Sequence, residues 1–206
     1  MVFTNRPLLP LIVAAAVLML AAGCQDKPAD KPAAKPAAKA APMQAGAPEA
    51  ASGDALEIAA KGAGFNAGSM MATRQIYVFF DPQCPHCGHL WEATRPLATQ
   101  LRMVWIPVGF IAPRSTQQGA ALLAAADPVA AMDLHEKSLL AQKGGLLPPD
   151  NLPADLQDKV RANTKLWQQL GGESVPFTVY KNPATGQPGK FAGALDTESL
   201  KKLIGI

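Results

Sequence analysis

Residues 75–87 read Gln-Ile-Tyr-Val-Phe-Phe-Asp-Pro-Gln-Cys-Pro-His-Cys, and this stretch decides the fold. Its first six residues are mostly β-branched or aromatic, which is typical of a buried central strand. An Asp-Pro pair ends the strand, and Pro85 suits the first turn of a helix. The stretch therefore predicts a strand that turns directly into a helix, with Cys84 and Cys87 at the start of that helix.

The position of the two cysteines predicts redox chemistry. Unpaired N–H groups and the helix dipole favour an anion at a helix N-terminus, so we expect the pKa of Cys84 to lie well below the value of about 8.5 for a free thiol. His86 adds positive charge when it is protonated. Cys87 lies one turn into the helix, where we expect it to be buried. A stable Cys84 thiolate is a good leaving group, which predicts an oxidising pair.

Other interpretations of the C-x-x-C spacing are open at this point. A structural zinc site needs four ligands, and the chain has no second C-x-x-C, although Cys84, Cys87 and His89 would be enough for a three-ligand site. Haem attachment is excluded because Gly88, rather than a histidine, follows the second cysteine. An inert disulfide is also possible in an exported protein, but so small a ring stabilises little.

The remaining pattern predicts an α/β domain over residues 55–206. We expect a helix from Pro85 with a kink at Pro96 and an apolar face that extends to Leu101, followed by a strand over 103–108. Strands are predicted at 177–180 and 190–193, and residues 55–74 give no clear signal beyond a short helix or strand. This order predicts a sheet with a late antiparallel pair.

A helical insertion is predicted over about residues 115–170. The spacing Ser115-Thr-Gln-Gln118 matches a capping box and predicts a helix to about residue 126. Asp127 and the proline after it predict the start of a second helix, and an apolar stripe predicts a third. We expect His135 to be a half-buried packing residue on the second of these helices, and Asp196 to cap a final helix.

The N-terminal residues predict export and lipid anchoring. Residues 1–23 carry Arg6 and then an apolar run over 8–20, which is shorter than the roughly 20 residues of a membrane span. A single-pass anchor is the alternative. Leu20-Ala-Ala-Gly-Cys24 resembles a bacterial lipobox, which implies a lipidated Cys24 and explains the odd number of cysteines.

Residues 24–54 are rich in Ala, Pro and Lys and predict a disordered tether that begins at the lipidated cysteine. Gln25 after that cysteine favours the outer membrane of a Gram-negative bacterium. The net charge of +3 gives no argument for a nucleic-acid partner.

Residues 77–87 match the pattern Val-Phe-x-Asp-Pro-x-Cys-Pro-x-Cys and so resemble the isomerase branch, of DsbG and DsbC type, of the bacterial periplasmic disulfide-bond (Dsb) proteins. The resemblance covers most of residues 74–206. It implies a thioredoxin-like fold, a central mixed sheet flanked by helices, with a helical insertion. It also implies that Cys84 is the nucleophile, that Cys87 resolves the mixed disulfide, and that the two form a redox disulfide.

The same resemblance implies that Val175 and Pro176 form a cis-proline loop that offers its backbone to substrate. The expected partners are cysteine-containing envelope proteins and a membrane redox partner in the periplasm, with no cofactor and no bound metal. His86 and Val175 match the oxidase rather than the isomerases. Too few residues precede the catalytic strand for the isomerases' dimerisation domain, so we expect a monomer. A non-catalytic chaperone or metal-binding lipoprotein with the same fold is the alternative.

Overall fold

A computed structural model of the chain describes residues 46–206 and contains a six-stranded mixed sheet flanked by helices. The strands are β1 (Glu49–Ala50), β2 (Phe65–Gly68), β3 (Arg74–Phe80), β4 (Leu101–Pro107), β5 (Phe177–Lys181) and β6 (Pro188–Ala192). The helices are α1 (Ala55–Ala60), α2 (Pro85–Thr94), α3 (Ser115–Ala124), α4 (Pro128–Leu140), α5 (Ala154–Gln169) and α6 (Thr197–Ile204).

Strand β3 lies inside the sheet, whose strand order is β1-β6-β5-β3-β4-β2. Tyr77 of β3 pairs with Val104 of the parallel strand β4 on one side and with Val179 of the antiparallel strand β5 on the other. A strand with a neighbour on each side and helices on the sheet faces is largely buried, and β3 is fully buried from Val78 to Phe80, which explains its apolar sequence there. The turn that carries Cys84 follows the C-terminal end of this strand. It therefore starts from the interior of the sheet.

An aromatic cluster fixes helix α2 on the sheet. The ring centroids of Trp91 and Trp105 are 5.0 Å apart, and those of Phe80 and Trp105 are 5.5 Å apart, both in edge-to-face geometry. Phe65 of β2 packs on Phe80 at 6.2 Å. All four side chains are buried, so this cluster holds the helix that begins at Cys84 in a fixed position relative to β3.

The helical insertion between β4 and β5 consists of α3, α4 and α5, as the sequence predicted. Helix α3 packs against α5, where a Cβ atom placed on Gly119 would come to 3.2 Å of a methyl carbon of Val160. Helix α4 packs against α2. Asp127 caps α4 by accepting hydrogen bonds from the amides of Val129 and Ala130, which confirms the predicted start.

Three local predictions were wrong. Helix α2 ends at Thr94, and Arg95–Leu97 form a 3-10 turn, so Leu101 begins β4 instead of continuing the helix. A proline cannot donate to the preceding turn, so it ended the helix where we expected a kink. Ser115 is not an N-cap: it is the first residue of α3, and Arg114 before it makes no side-chain cap.

The predictions for the first 45 residues, which include the signal over 1–23 and the lipidation of Cys24, lie outside the described residues. Strand β1 lies within the predicted tether and pairs with β6 at the edge of the sheet. In residues 46–206, no helix has the length and apolar character that crossing a membrane requires.

Candidate redox site

Cys84 occupies the position from which helix α2 begins. Its backbone is extended, with φ −99° and ψ 107°, and it is the N-cap residue of the helix. The side chain of Cys87 donates a hydrogen bond to the Cys84 sulfur, and this contact is the main reason that the pKa of Cys84 is lowered. The backbone amides of Cys87 and His86 lower it further, while burial opposes them. The Cys87 thiol and the amide groups at the helix start therefore favour a thiolate on Cys84, in the direction that the sequence predicted.

Cys87 has the opposite environment. Its side chain is completely buried, and burial raises the pKa of the thiol well above the ordinary value. The hydrogen bond to Cys84, the charge of Cys84 and the charge of Glu136 raise it further. Both cysteines are free thiols in this structure. The two pKa values are thus shifted apart, which favours the anion on Cys84 and the proton on Cys87.

His86 and His89 lie on the first turns of α2. His86 is half-buried and His89 is exposed, with their ring centroids 6.3 Å apart. His86 acts on the Cys84 pKa through its backbone amide. The effect of its ring charge, which the sequence predicted, stays a prediction.

The loop at residues 175–176 lies beside the cysteine pair. The Val175–Pro176 peptide bond is cis, as the resemblance implied. The Cys84 thiol donates a hydrogen bond to the Val175 carbonyl, with 3.4 Å between sulfur and oxygen. The Pro176 carbonyl accepts a bond from the amide of Gly193, just after β6. Folding thus brings together Cys84 and a loop 91 positions away in the chain.

Asp81 is a buried connection between the cysteine turn and the neighbouring loop. Its carboxylate accepts hydrogen bonds from the amides of Gln83, Phe110 and Ile111 at 2.7–2.8 Å. It also accepts one at 2.7 Å from the hydroxyl of Ser115, whose oxygen accepts from the amide of Ala112 rather than from an amide of α3. The sequence predicted an Asp-Pro turn here but not these long-range partners.

A second set of polar contacts connects the same turn to α3, to α4 and to the loop after α4. The side-chain amide nitrogen of Gln83 donates to the side-chain oxygen of Gln118 at 2.6 Å and to the Gly144 carbonyl at 3.0 Å. His135 donates from Nε2 to the Pro82 carbonyl at 2.7 Å, and its Nδ1 accepts from the amide of Leu146 at 3.1 Å.

His135 is fully buried, so the prediction of a half-buried side chain was wrong in degree. Its two contacts require one donor and one acceptor nitrogen, which corresponds to the neutral imidazole. Burial lowers the pKa of His135, which is consistent with a neutral ring. This histidine supports the Pro82 turn and does not face the cysteine pair as a ligand.

The residues that the structure describes contain no group of three or more His, Cys, Asp or Glu side chains arranged to hold a metal ion. The three-ligand alternative with Cys84, Cys87 and His89 therefore has no matching cluster in this part of the chain.

Glu136 is a buried acid that the sequence analysis missed. It is 1% exposed, and neither carboxyl oxygen has a hydrogen-bond partner among residues 46–206. A signal was present in the sequence, since Glu136 occupies one position of an i, i+3, i+4, i+7 stripe with Met132, His135 and Leu139. All four residues are buried on one face of α4.

These features define the class of fold, which comparisons with solved structures support. The catalytic domain of Proteus mirabilis ScsC is 21% identical, with a TM-score of 0.57, over 74% of this chain and 92% of that chain. A periplasmic thioredoxin-like protein from Salmonella enterica serovar Typhimurium is 18% identical, with a TM-score of 0.58, over 73% of this chain and 94% of that chain. The fold is thioredoxin-like with a helical insertion, as expected.

The predicted resemblance to DsbG is also confirmed. The thiol:disulfide interchange protein DsbG of Pseudomonas aeruginosa is 33% identical over 136 residues, which cover 65% of this chain and 52% of the relative. DsbG of Escherichia coli is 33% identical over 135 residues, 63% of this chain and 52% of the relative. The chain thus spans about half the length of the curated relatives it matches. No family model matches it.

Proposed function

We propose that this protein is a thiol–disulfide oxidoreductase that acts on cysteines of exported proteins in the cell envelope. One observation carries the proposal: Cys84 and Cys87 share the first turn of α2, and their pKa values are shifted in opposite directions. Such a pair has one sulfur ready to attack and one protonated sulfur held in reserve. The names of the two DsbG relatives support the same activity.

The exchange reaction follows from these two states. In the reducing direction, the Cys84 thiolate attacks a substrate disulfide, a Cys84–substrate mixed disulfide forms, and one substrate sulfur leaves as a thiolate. Cys87 then loses its proton and attacks the Cys84 sulfur, which releases the second substrate thiolate and leaves a Cys84–Cys87 disulfide. Oxidation of a substrate dithiol is the same sequence in reverse. The partner that recharges the pair sets the net direction.

The Val175–Pro176 loop is proposed as the place where the substrate backbone docks. The Val175 carbonyl is already an acceptor for the Cys84 thiol, so a peptide that pairs with this loop would lie next to the reacting sulfur. His86, half-buried one position before Cys87, is proposed to tune the thiolate through the positive charge of its protonated ring.

The cellular setting is a further part of the proposal. We infer that residues 1–23 are a lipoprotein signal, that Cys24 carries lipid, and that residues 24–54 tether the domain over 55–206 to the periplasmic side of the outer membrane. The Salmonella neighbour is described as periplasmic. The proposed partners are cysteine-containing envelope proteins and a membrane redox protein, with the chain acting as a monomer.

The first prediction concerns trapping of substrates. A Cys87→Ala variant can form the mixed disulfide through Cys84 but cannot resolve it, so it should accumulate covalent adducts with envelope proteins. These adducts are measured by non-reducing electrophoresis and mass spectrometry, and they should disappear when reductant is added.

The matched control is Cys84→Ala, which retains the buried thiol but should form no adducts, because Cys87 is fully buried and protonated. Equal, low trapping by both variants would contradict the enzymatic proposal and favour a non-catalytic binding protein.

A further inference from the structure

Glu136 is a buried acid without a structural partner. Its two oxygens are enclosed in the protein and accept no hydrogen bond from residues 46–206. A buried carboxyl group without a hydrogen-bond partner costs stability, and the cost is larger when the group is ionised. Asp81, the other buried acid next to this turn, contrasts with it, because it accepts four hydrogen bonds.

The carboxyl group of Glu136 lies on the first turn of α2. A Cβ atom placed on Gly88 would come to 2.6 Å of Glu136 Oε2, so a larger residue at this position would have to displace the carboxyl group. Gly88 directly follows Cys87, and its amide points to the Cys84 carbonyl at 3.4 Å. The acid from α4 therefore reaches the backbone that carries both cysteines.

The charged groups around Glu136 are all acidic. Burial is the main cause that raises its pKa to about 9, and the charges of Cys84, Glu92 and Asp81 raise it further. The charge of Glu136 in turn raises the pKa of Cys87. Helix α3 and strand β2, which also pack against α4, contain no charged residue. Protonation of Glu136 is thus linked to the charge on the cysteine pair.

We propose that Glu136 is the group that exchanges a proton with Cys87 when the mixed disulfide is resolved. This inference rests on the proposed function and names a residue for its second step. It follows from the juxtaposition of an unpartnered buried carboxyl group and a fully buried thiol on adjacent faces of α2 and α4.

The proton and electron balance of the step is complete without another reactant. The Glu136 carboxylate takes the proton of Cys87, and the Cys87 thiolate attacks the Cys84 sulfur. The Cys84–substrate bond breaks, and the substrate sulfur leaves as a thiolate. When Cys84 is in the mixed disulfide it carries no charge, so one cause of the raised pKa is absent and more carboxylate is available. In the reverse reaction Glu136 returns the proton to Cys87 as it leaves.

The test measures the resolution of the mixed disulfide by Cys87 separately from the first attack by Cys84. The reduced full chain, purified in detergent, is mixed with excess oxidised glutathione, quenched with acid and analysed by mass spectrometry for the Cys84–glutathione adduct and the Cys84–Cys87 disulfide. The Glu136→Gln variant should resolve its adduct on the order of a hundredfold more slowly near pH 7, the lower end of what a positioned proton acceptor contributes. Its resolution rate should also lose the pH dependence that the wild type shows.

Two matched variants separate proton exchange from packing. Glu136→Asp retains a titratable group and should recover part of the rate and its pH dependence. Glu57→Gln removes an exposed acid of α1, which is not among the charges that act on Glu136, and should resolve like the wild type. Alkylation of Cys84 by iodoacetamide near neutral pH should differ by less than about twofold among all these proteins, because Glu136 is protonated there in the reduced state.

The outcomes distinguish this inference from the proposed function. If the wild type forms and resolves the adduct, and Glu136→Gln resolves it at the same rate with the same pH profile, the inference is overturned. If the wild type forms no adduct at Cys84, the proposed function itself is overturned. A second measurement needs no variant: the carbon-13 resonance of the Glu136 carboxyl group should titrate at a lower pH when Cys84 is blocked, and an unchanged midpoint would also overturn the inference.

Discussion

In the reduced protein, the Glu136→Gln variant should gain stability over the wild type by about 3 kcal/mol as the pH rises from 4.5 to 7. The folded-state pKa of Glu136 is raised from an ordinary 4.5 to about 9. Between these values the folded state holds a proton that the unfolded state releases, so the wild type loses stability as the pH rises, by about 1.4 kcal/mol per unit. Glutamine has a similar shape and cannot ionise, and it removes this loss.

Denaturant unfolding in the presence of reductant, at several pH values, measures the effect. The Glu57→Gln variant is the control, because Glu57 is exposed on α1 and is not among the charges that act on Glu136, so its removal should leave the pH dependence of unfolding unchanged. Parallel stability profiles for the wild type and Glu136→Gln would show that the acid is not held protonated in the folded protein.

Stability and redox function are expected to move in opposite directions at Glu136. The glutamine variant should be more stable at neutral pH and yet slower in resolving a mixed disulfide. A residue with only a packing role would not give this combination, because a loss of packing lowers stability and activity together. The cost of an unpartnered buried acid is therefore evidence for a functional role at this position.

The second large effect concerns the reduction potential of the Cys84–Cys87 pair. The lowered pKa of Cys84 stabilises the dithiol form at neutral pH relative to the disulfide. We therefore expect a potential above that of thioredoxin, about −270 mV, and within the range of roughly −230 to −120 mV of the more oxidising members of the class. A difference of about 30 mV corresponds to roughly tenfold in the equilibrium constant for this two-electron couple.

Equilibration in glutathione redox buffers, followed by alkylation and mass spectrometry, measures this potential. Thioredoxin in the same buffers is the reference. A value at or below that of thioredoxin would mean that burial and the Asp81 charge, which raise the pKa of Cys84, outweigh the Cys87 thiol and the amide groups of the helix start, which lower it.

The features of the site that depend on local sequence could be predicted. The apolar strand, the Asp-Pro break and Pro85 give β3, the turn and the start of α2 within a residue of their observed positions. Asp127 and Asp196 cap their helices as expected, because an N-cap bonds to amides only two or three residues ahead. The cis bond before Pro176 was predicted from the resemblance and not from the local pattern.

The features that depend on distant partners could not be predicted. Ser115 has the spacing of a capping box, but its hydroxyl donates to the buried carboxylate of Asp81, 34 positions away, and its oxygen accepts from the amide of Ala112. Strand β2 has only four residues and was not recognised, since its stability comes from pairing with the edge of β4. Glu136 was overlooked because a glutamate on a helix is usually exposed, and only the packing of α4 on Gly88 buries it.

Titration of the Cys84 thiolate by its ultraviolet absorbance, in the reduced wild-type protein, tests the central claim most directly. The account predicts a first thiolate transition at a pH below the ordinary value of about 8.5, and the loss of that transition in Cys84→Ser. A first transition at or above 8.5, or one that persists without Cys84, would contradict the claim that the start of α2 stabilises the Cys84 anion.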